Sequence, residues 1–325
     1  MKKYKAAVVS VNPDGIKKVY TEKQISQIAE ITDLYPGIGT VENVENGDLK
    51  DVEVLFSTWG MLRLNAEQLE KMPKLQAVFY AAGAVDYFAE PFFDKNIKVL
   101  SAWTANAIPV AEYCMSQIIL SLKGYFQSAR RLRSREYFKR DIIGPGVYGE
   151  TVALIGSGAV SNYLQKLLKN VNLNVVVVPS FAENREELIE KVFATAKVVS
   201  NHLPNRDDDE GVLNGKHFAS MRPGAVFINT GRGRQVKEAE MIEVLEKRPD
   251  LTALLDVTYP EPPEEDSKLY KLDNVFLSPH LAGSLNDETH RMVDFMIEEY
   301  LRFANGEKLQ FEVDPSMLLS AKRPK

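Results

Sequence analysis

The chain has one cysteine, two tryptophans and four histidines in 325 residues, and each scarcity closes off a class of chemistry. A lone Cys114 can form neither an intramolecular disulfide nor a cysteine-rich zinc site, which points to a reducing, cytoplasmic setting. His202, His217 and His290 show no metal-ligand spacing to one another or to acids, so no metal is expected. A run of about 18 apolar residues, the minimum for a membrane-crossing helix, is also missing. Met1-Lys2-Lys3 could open a signal peptide, but the apolar stretch 6–11 is interrupted by Ser10 and stops at Asn12-Pro13-Asp14-Gly15, which reads as a strand and a turn. Nor is there an excess of positive charge. With 40 Lys plus Arg against 45 Asp plus Glu, the net charge of −5 gives no general attraction for phosphate backbones or anionic lipid. Nucleic acid and membrane are therefore not expected as partners, and the one basic cluster, Arg130-Arg131-Leu132-Arg133-Ser134-Arg135, reads as a solvated helix face or an arm at a subunit contact.

What is present is an ordinary globular composition, 45% hydrophobic and 26% charged, in a chain long enough for two domains. Short apolar runs at 6–11, 52–57 and 77–81 alternate with helix-like stretches at 21–30 and 65–71, which makes a small α/β unit. A long helical pattern covers 110–134, and Gly144-Pro145-Gly146 with Gly149 then breaks the chain. Six further apolar runs follow with helix-length spacers, at 151–155, 175–178, 198–201, 225–229, 252–257 and 275–278. They imply a parallel, doubly wound sheet. The last residues, 321–325, read as a frayed tail.

Gly156-Ser157-Gly158-Ala159-Val160-Ser161 follows the first of these six strands and opens an apolar-periodic helix. Strand, glycines and helix stand in the order of a dinucleotide-binding turn: the first Gly permits the turn, the second admits a pyrophosphate, and the helix N-terminus offers unpaired N–H groups. A tight turn with no ligand needs the same glycines, and a methyltransferase could use it too. The next strand should end in an acid for the adenine ribose. Here it ends in Pro179-Ser180. Arg185 could reach a ribose phosphate, while Asp207-Asp208-Asp209 on the same sheet edge would repel one. NAD is favoured on this balance, with NADP as the alternative.

Arg232, Asp256 and His280 each lie at or just past the end of a strand, where ligands bind in open parallel sheets. Arg232 offers a rigid fork for a carboxylate, His280 an imidazole suited to proton exchange, and Glu261 a partner for it. Singly, each also suits a structural role: a surface charge between turn glycines, a loop acid, a strand-end cap.

Taken together, Val152-Ala153-Leu154-Ile155-Gly156-Ser157-Gly158, Asn201-His202-Leu203-Pro204, Ile228-Asn229-Thr230-Gly231-Arg232-Gly233, Leu255-Asp256-Val257, Glu261-Pro262 and Pro279-His280-Leu281-Ala282-Gly283-Ser284 closely resemble the D-isomer-specific 2-hydroxyacid dehydrogenases. The likeness extends upstream to Asn106-Ala107-Ile108-Pro109 and, more loosely, to Ala82-Gly83-Ala84-Val85-Asp86. The resemblance implies a Rossmann dinucleotide-binding domain, residues 105–287, inserted into a smaller flavodoxin-like substrate domain of residues 1–104 and 288–325. It implies that Arg232 holds the carboxylate of a small 2-oxo acid, His280 moves the hydroxyl proton, and Glu261 orients and tunes His280. The backbone around Ala82, Gly83 and Ala84 would complete the carboxylate cradle, with Trp59 and Trp103 shaping the pocket. Cofactor contacts are implied for Gly156, Gly158, Ala159, Val160, Pro179, Ser180, His202, Pro204, Asp209, Thr230, Gly231, Arg232, Asp256, His280, Ala282 and Gly283, with Asp256 at the nicotinamide amide.

This sequence departs from the family pattern at Ala159, where Arg is frequent, at Pro179 in place of the ribose acid, at Asp209 where Thr is common, and in the shifted glycine of Ala82-Gly83-Ala84. The leading expectation is a nicotinamide-dependent oxidoreductase of glyoxylate, hydroxypyruvate or glycerate-like acids, acting as a homodimer through an arm near 124–148. The alternative is a dinucleotide-responsive binding protein resembling the co-repressors of this fold. A formate dehydrogenase is disfavoured because that group carries Gln where Glu261 stands, and a long-form phosphoglycerate dehydrogenase because no residues follow Lys325.

Overall fold

A computed structural model describes residues 2–138 and 144–316; the tail at 321–325 and part of the arm segment lie outside them. The chain divides into two compact units, Met1–Asn106 with Ser284–Lys325, and Ala107–Gly283.

The first unit is built on five parallel strands: β1 (Lys5–Val9), β2 (Asp33–Gly39), β3 (Val54–Ser57), β4 (Ala77–Tyr80) and β5 (Lys98–Ser101), in the order β2-β1-β3-β4-β5. That is the flavodoxin-like order expected. β3 and β4 are buried along their whole length, which is why they read as unbroken apolar runs. Two strands carry no such signal. β2 contains Pro36 and two glycines and survives at the sheet edge, where a missing N–H is tolerated, and β5, the opposite edge, sets only Val99 and Leu100 between Lys98 and Ser101. One sheet face is covered by Pro13–Val19, Glu22–Ile31 and the last helix, Glu288–Asn305, whose Tyr300 ring packs tilted against Phe56 and edge-on against Phe79. The other is covered by Ala66–Glu70 and Glu90–Asp94. Glu299, fully buried, takes the backbone N–H groups of Gln310 and Phe311 and ties the segment after the last helix to this unit.

The helical pattern expected over 110–134 begins earlier and is cut in two, Trp103–Leu122 and Tyr125–Arg131, because Gly124 sits at φ +68 between them. A left-handed residue cannot continue a right-handed helix.

The second unit carries the six expected strands, all parallel: β6 (Glu150–Ile155), β7 (Leu173–Val178), β8 (Val198–Asn201), β9 (Val226–Asn229), β10 (Thr252–Leu255) and β11 (Val275–Leu277). Their order is β11-β10-β9-β8-β6-β7. A dinucleotide-binding sheet commonly has a third strand beyond the second, in the order 3-2-1-4-5-6. Here the chain leaves β7, forms the helix Arg185–Thr195 and enters β8 directly on the other side of β6, so β7 is the edge. Its alternating partly buried and exposed pattern shows the same thing. The point where the strand order reverses therefore falls between β6 and β8. Phe193, Phe218 and Phe227 pack edge and face against one another on one side of the sheet, all but excluded from solvent. Removing the Phe193 ring by Phe193→Ala is expected to cost about 3–5 kcal/mol in urea unfolding. A loss under about 1 kcal/mol would mean that the three-ring cluster does not hold this layer together.

Candidate active site

The glycine turn sits where β6 ends. Gly156 has φ +106, and a Cβ there would come within 2.6 Å of the His202 carbonyl oxygen, so both its conformation and its space require glycine. Gly158 is different: it caps the helix Ala159–Leu168, and a Cβ there would meet nothing within 4 Å. No side chain caps that helix. An open approach to uncapped N–H groups fits a pyrophosphate, and buried Ser161 supplies the small third position that lets the helix close on the sheet.

Past Val178, Pro179 is exposed and Ser180 is buried, with its Oγ 3.4 Å from the Ser157 N–H. Arg185 is not available for a ribose phosphate. Its guanidinium is buried and donates to Asp209 and to the Ser180 carbonyl. Each of the three aspartates has an arginine of its own: Asp207 pairs with Arg234, Asp208 with Arg206, and fully buried Asp209 with Arg185. The repulsion expected of this run is thus neutralised locally. Arg206, itself 4% exposed, lies with its guanidinium 4.6 Å from the ring centroid of exposed Phe181, a contact that sequence reading passed over.

The two loops at the ends of β8 and β9 are joined by a buried amide network. Asn201 donates to Asn229 (3.0 Å) and to Gln235 (2.7 Å), Gln235 donates to the carbonyls of Leu203 and Pro204, and Asn229 Oδ1 accepts from the Gly231 N–H. The Arg232 N–H donates to Gln235 Oε1 at 3.0 Å and its Nη1 to the Gly231 carbonyl at 2.8 Å. Gly233 is packed so tightly that a Cβ would lie 2.0 Å from the Thr258 carbonyl. Gln235 carries no motif signal. Its role appears only once the loop after β8 meets its own loop after β9.

Beside this network, His202 is buried with Nδ1 3.4 Å from Thr230 Oγ1 and Nε2 without a hydrogen-bond partner. Burial pushes its pKa down to about 4. Thr230 Oγ1 also lies 3.3 Å from Cys114 Sγ, a thiol that burial pushes up to about 12.

Arg232, Asp256 and His280 follow β9, β10 and β11, which are neighbours in the sheet. Asp256 is 3% exposed and its carboxylate accepts from Ser278 Oγ (2.6 Å), Leu281 N–H (2.9 Å) and Ala282 N–H (3.0 Å). The turn thus held places His280 at φ +52, and His280 Nδ1 meets Glu261 Oε1 at 2.6 Å. Both side chains remain partly open to solvent, at 50% and 41%. Asp256, Glu261 and His280 line one cavity of about 440 Å³ with Tyr270 and Pro262. Arg232 is not part of that lining.

In the first unit, the loop after β4 is held by Ser101, whose Oγ donates to the carbonyls of Ala82 (2.8 Å) and Gly83 (2.6 Å). Ala82 is buried, Gly83 partly buried and Ala84 exposed. Trp59, after β3, is 45% exposed, whereas Trp103 packs edge-on against Phe311. Among the described residues no group of three His, Cys, Asp or Glu is placed to hold a metal ion, and no helix is long and apolar enough to cross a membrane.

The sequence pattern of the D-isomer specific 2-hydroxyacid dehydrogenases, NAD binding domain, matches residues 115–282. The chain belongs to that family. A (S)-sulfolactate dehydrogenase from Chromohalobacter salexigens is 28% identical over 254 residues, 75% of this chain and 82% of that protein. A D-3-phosphoglycerate dehydrogenase from Archaeoglobus fulgidus is 26% identical over 253 residues, 75% of this chain but 48% of that protein, so the match spans about half its length. Among solved structures, the apo D-mandelate dehydrogenase of Rhodotorula graminis superposes with a TM-score of 0.78 at 17% identity, over 96% of this chain and 98% of that one, which establishes the fold.

The uncapped helix and the open face at Gly158 therefore belong to an NAD binding domain. The buried His202 imidazole gives this domain a pH signature. Its folded-state pKa of about 4 lies below the ordinary value near 6.5, so the unfolded chain takes up the proton first. The associated stability is complete above about pH 6.5 and is lost as the pH falls toward 4. Between pH 7 and 5 this amounts to about 2 kcal/mol. Urea unfolding at both pH values should show that difference shrinking in His202→Gln; an unchanged difference would remove His202 as its source.

Proposed function

We propose that the protein is an oxidoreductase that moves a hydride between a nicotinamide dinucleotide and carbon 2 of a 2-oxo or D-2-hydroxy acid. The observation that carries this reading is the 2.6 Å contact between His280 Nδ1 and Glu261, on a turn fixed by Asp256. With Nδ1 occupied, Nε2 is the nitrogen left to give a proton to the carbonyl oxygen of a 2-oxo acid, or to take one from the hydroxyl in the reverse direction. Arg232 holds the carboxylate and polarises the carbonyl, and the backbone around Gly83 and Ala84 completes the cradle. Gly156, Gly158, Ala159 and Val160 receive the pyrophosphate, Pro179 and Ser180 border the adenosine end, and His202, Pro204, Thr230, Gly231, Asp256, Ala282 and Gly283 line the rest of the cofactor groove. The bound dinucleotide supplies the hydride chemistry. The relatives' names support the substrate class, since they are dehydrogenases of sulfolactate and 3-phosphoglycerate and a reductase of glyoxylate and hydroxypyruvate, and none of these is a co-repressor. NAD is favoured because Arg185, the cation closest in sequence to the adenosine position, is already bound to Asp209.

NADH and NADPH oxidation with a panel of 2-oxo acids tests the activity. Arg232→Ala and His280→Ala should each lower kcat/KM by about 100-fold or more with the circular dichroism spectrum unchanged. Near-normal turnover in either variant would sink the role given to that residue.

A homodimer in a reducing, cytoplasmic setting completes the proposal. Leu120, Tyr125, Leu132, Tyr137, Phe138 and Tyr148, all within the segment 120–148, are large apolar side chains exposed on the single chain. So many exposed apolar side chains in one stretch of chain support a protein contact there. Sedimentation equilibrium should give twice the 36.5 kDa chain mass, and Tyr125→Glu should shift it toward the monomer. A wild-type monomer at assay concentration would refute the dimer.

A further inference from the structure

In the first unit a second cavity, of about 410 Å³, is lined by Val11, Val41, Trp59, Gly60, Met61, Arg63 and Tyr87. Its walls come from the carboxyl ends of four neighbouring strands. Val11 follows β1, Val41 follows β2, Trp59 to Arg63 follow β3 and Tyr87 follows β4, so the cavity lies across the β1/β3 junction where the strand order reverses. In sheets of this order that junction is where a ligand binds. The loop proposed to hold the substrate carboxylate follows β4, the next strand along, paired with β3 through Phe56 and Phe79 and through Ser57 and Tyr80. Tyr87 lies on that same loop after β4, so the cavity borders the segment that carries Gly83 and Ala84.

The lining decides what that group is. Val11, Val41, Trp59, Met61 and Tyr87 give an apolar wall with two aromatic rings and a thioether, and the one cation, Arg63, lies over the Tyr87 ring with its guanidinium carbon 5.1 Å from the centroid. The ring is held in turn by the Tyr80 hydroxyl, 3.1 Å from that of Tyr87. Flat guanidinium and aromatic surfaces of this kind accept another ring by stacking. The cavity is also far larger than the hydrogen of glyoxylate or the methyl of pyruvate requires.

We infer that this cavity is a specificity pocket for an aryl substituent, which makes the preferred substrates 2-oxo acids with an aryl or arylmethyl group on carbon 2. The inference rests on the proposed oxidoreductase reading for the position of the carboxylate, but its test does not need turnover. Calorimetric titration of the full chain, with and without saturating NADH, should show D-3-phenyllactate binding about tenfold or more tighter than D-lactate. Val41→Trp, which fills the cavity, should abolish the difference, and Arg63→Ala should weaken phenyllactate binding about two- to fivefold. Circular dichroism confirms folding of both variants, and Arg63→Ala, at an exposed position, keeps the test alive if Val41→Trp fails to fold. Equal affinity for the two acids would overturn the pocket. So would tighter binding of 3-phospho-D-glycerate than of phenyllactate, which would make Arg63 an anion clamp instead. Tight phenyllactate binding without turnover of any 2-oxo acid would keep the pocket and discard the enzyme reading; glyoxylate turnover without a phenyllactate preference would do the reverse.

Discussion

The Asp256 carboxylate accepts one hydroxyl and two backbone N–H groups from a single turn, and the geometry of the reacting end of the second unit follows from that arrangement. A buried carboxylate is costly unless each lone pair finds a donor, and here the donors are Ser278, Leu281 and Ala282, on both sides of His280. Satisfying the charge therefore fixes the backbone on either side of the imidazole. His280 accepts a left-handed conformation, φ +52, that costs a non-glycine residue on the order of 1 kcal/mol or more. The turn withstands that strain because the Asp256 bonds hold it from within and the His280 N–H is bound to the Asp256 carbonyl.

The same logic holds on the neighbouring strand, with amides in place of a charge. Asn201, Asn229 and Gln235 are almost fully buried, and each gives and receives within the network that carries Arg232. A satisfied buried network specifies one arrangement, because any shift leaves a donor or acceptor unpaired at a cost of about 1–3 kcal/mol. The exposed pair Lys17–Asp14, at 76% and 86% exposure, has no such leverage. Position in this site is therefore set from the buried side, and the side chains that face solvent inherit it.

This difference explains what was legible in the sequence. The inner strands of the second sheet, β6, β8, β9 and β10, announce themselves as apolar runs because both faces are covered, and Arg232, Asp256 and His280 stand out because a polar residue at the end of a run breaks the pattern. β2 and β5 gave no comparable signal, because both are edges: β2 tolerates Pro and Gly there, and β5 sets only Val99 and Leu100 between Lys98 and Ser101. Gln235 and Ser101 were invisible for another reason. A single amide or hydroxyl acquires its role from partners 34 and 18 residues away, and no local pattern carries that information. The aspartate run misled for the same cause: its charges were plain in sequence, whereas the three arginines that offset them lie apart from it or point at it only in the fold.

Two histidines show how environment divides one residue type between opposite tasks. His202 follows β8 and is enclosed, with one nitrogen unpartnered and burial holding it neutral across the physiological range. Such a ring can fill space and offer a neutral donor or acceptor beside the groove, but it cannot exchange a proton with substrate near neutral pH. His280 follows β11, is half exposed and has a carboxylate on Nδ1, so its other nitrogen is directed by a fixed partner and open to a reacting group. Both rings stand at strand ends of one sheet and both fall in family motifs, and in the sequence the resemblance sets His280 apart as the proton-moving residue. Solvent access and the partner on the far nitrogen support the same choice, and they favour the proposed proton role for His280 over His202.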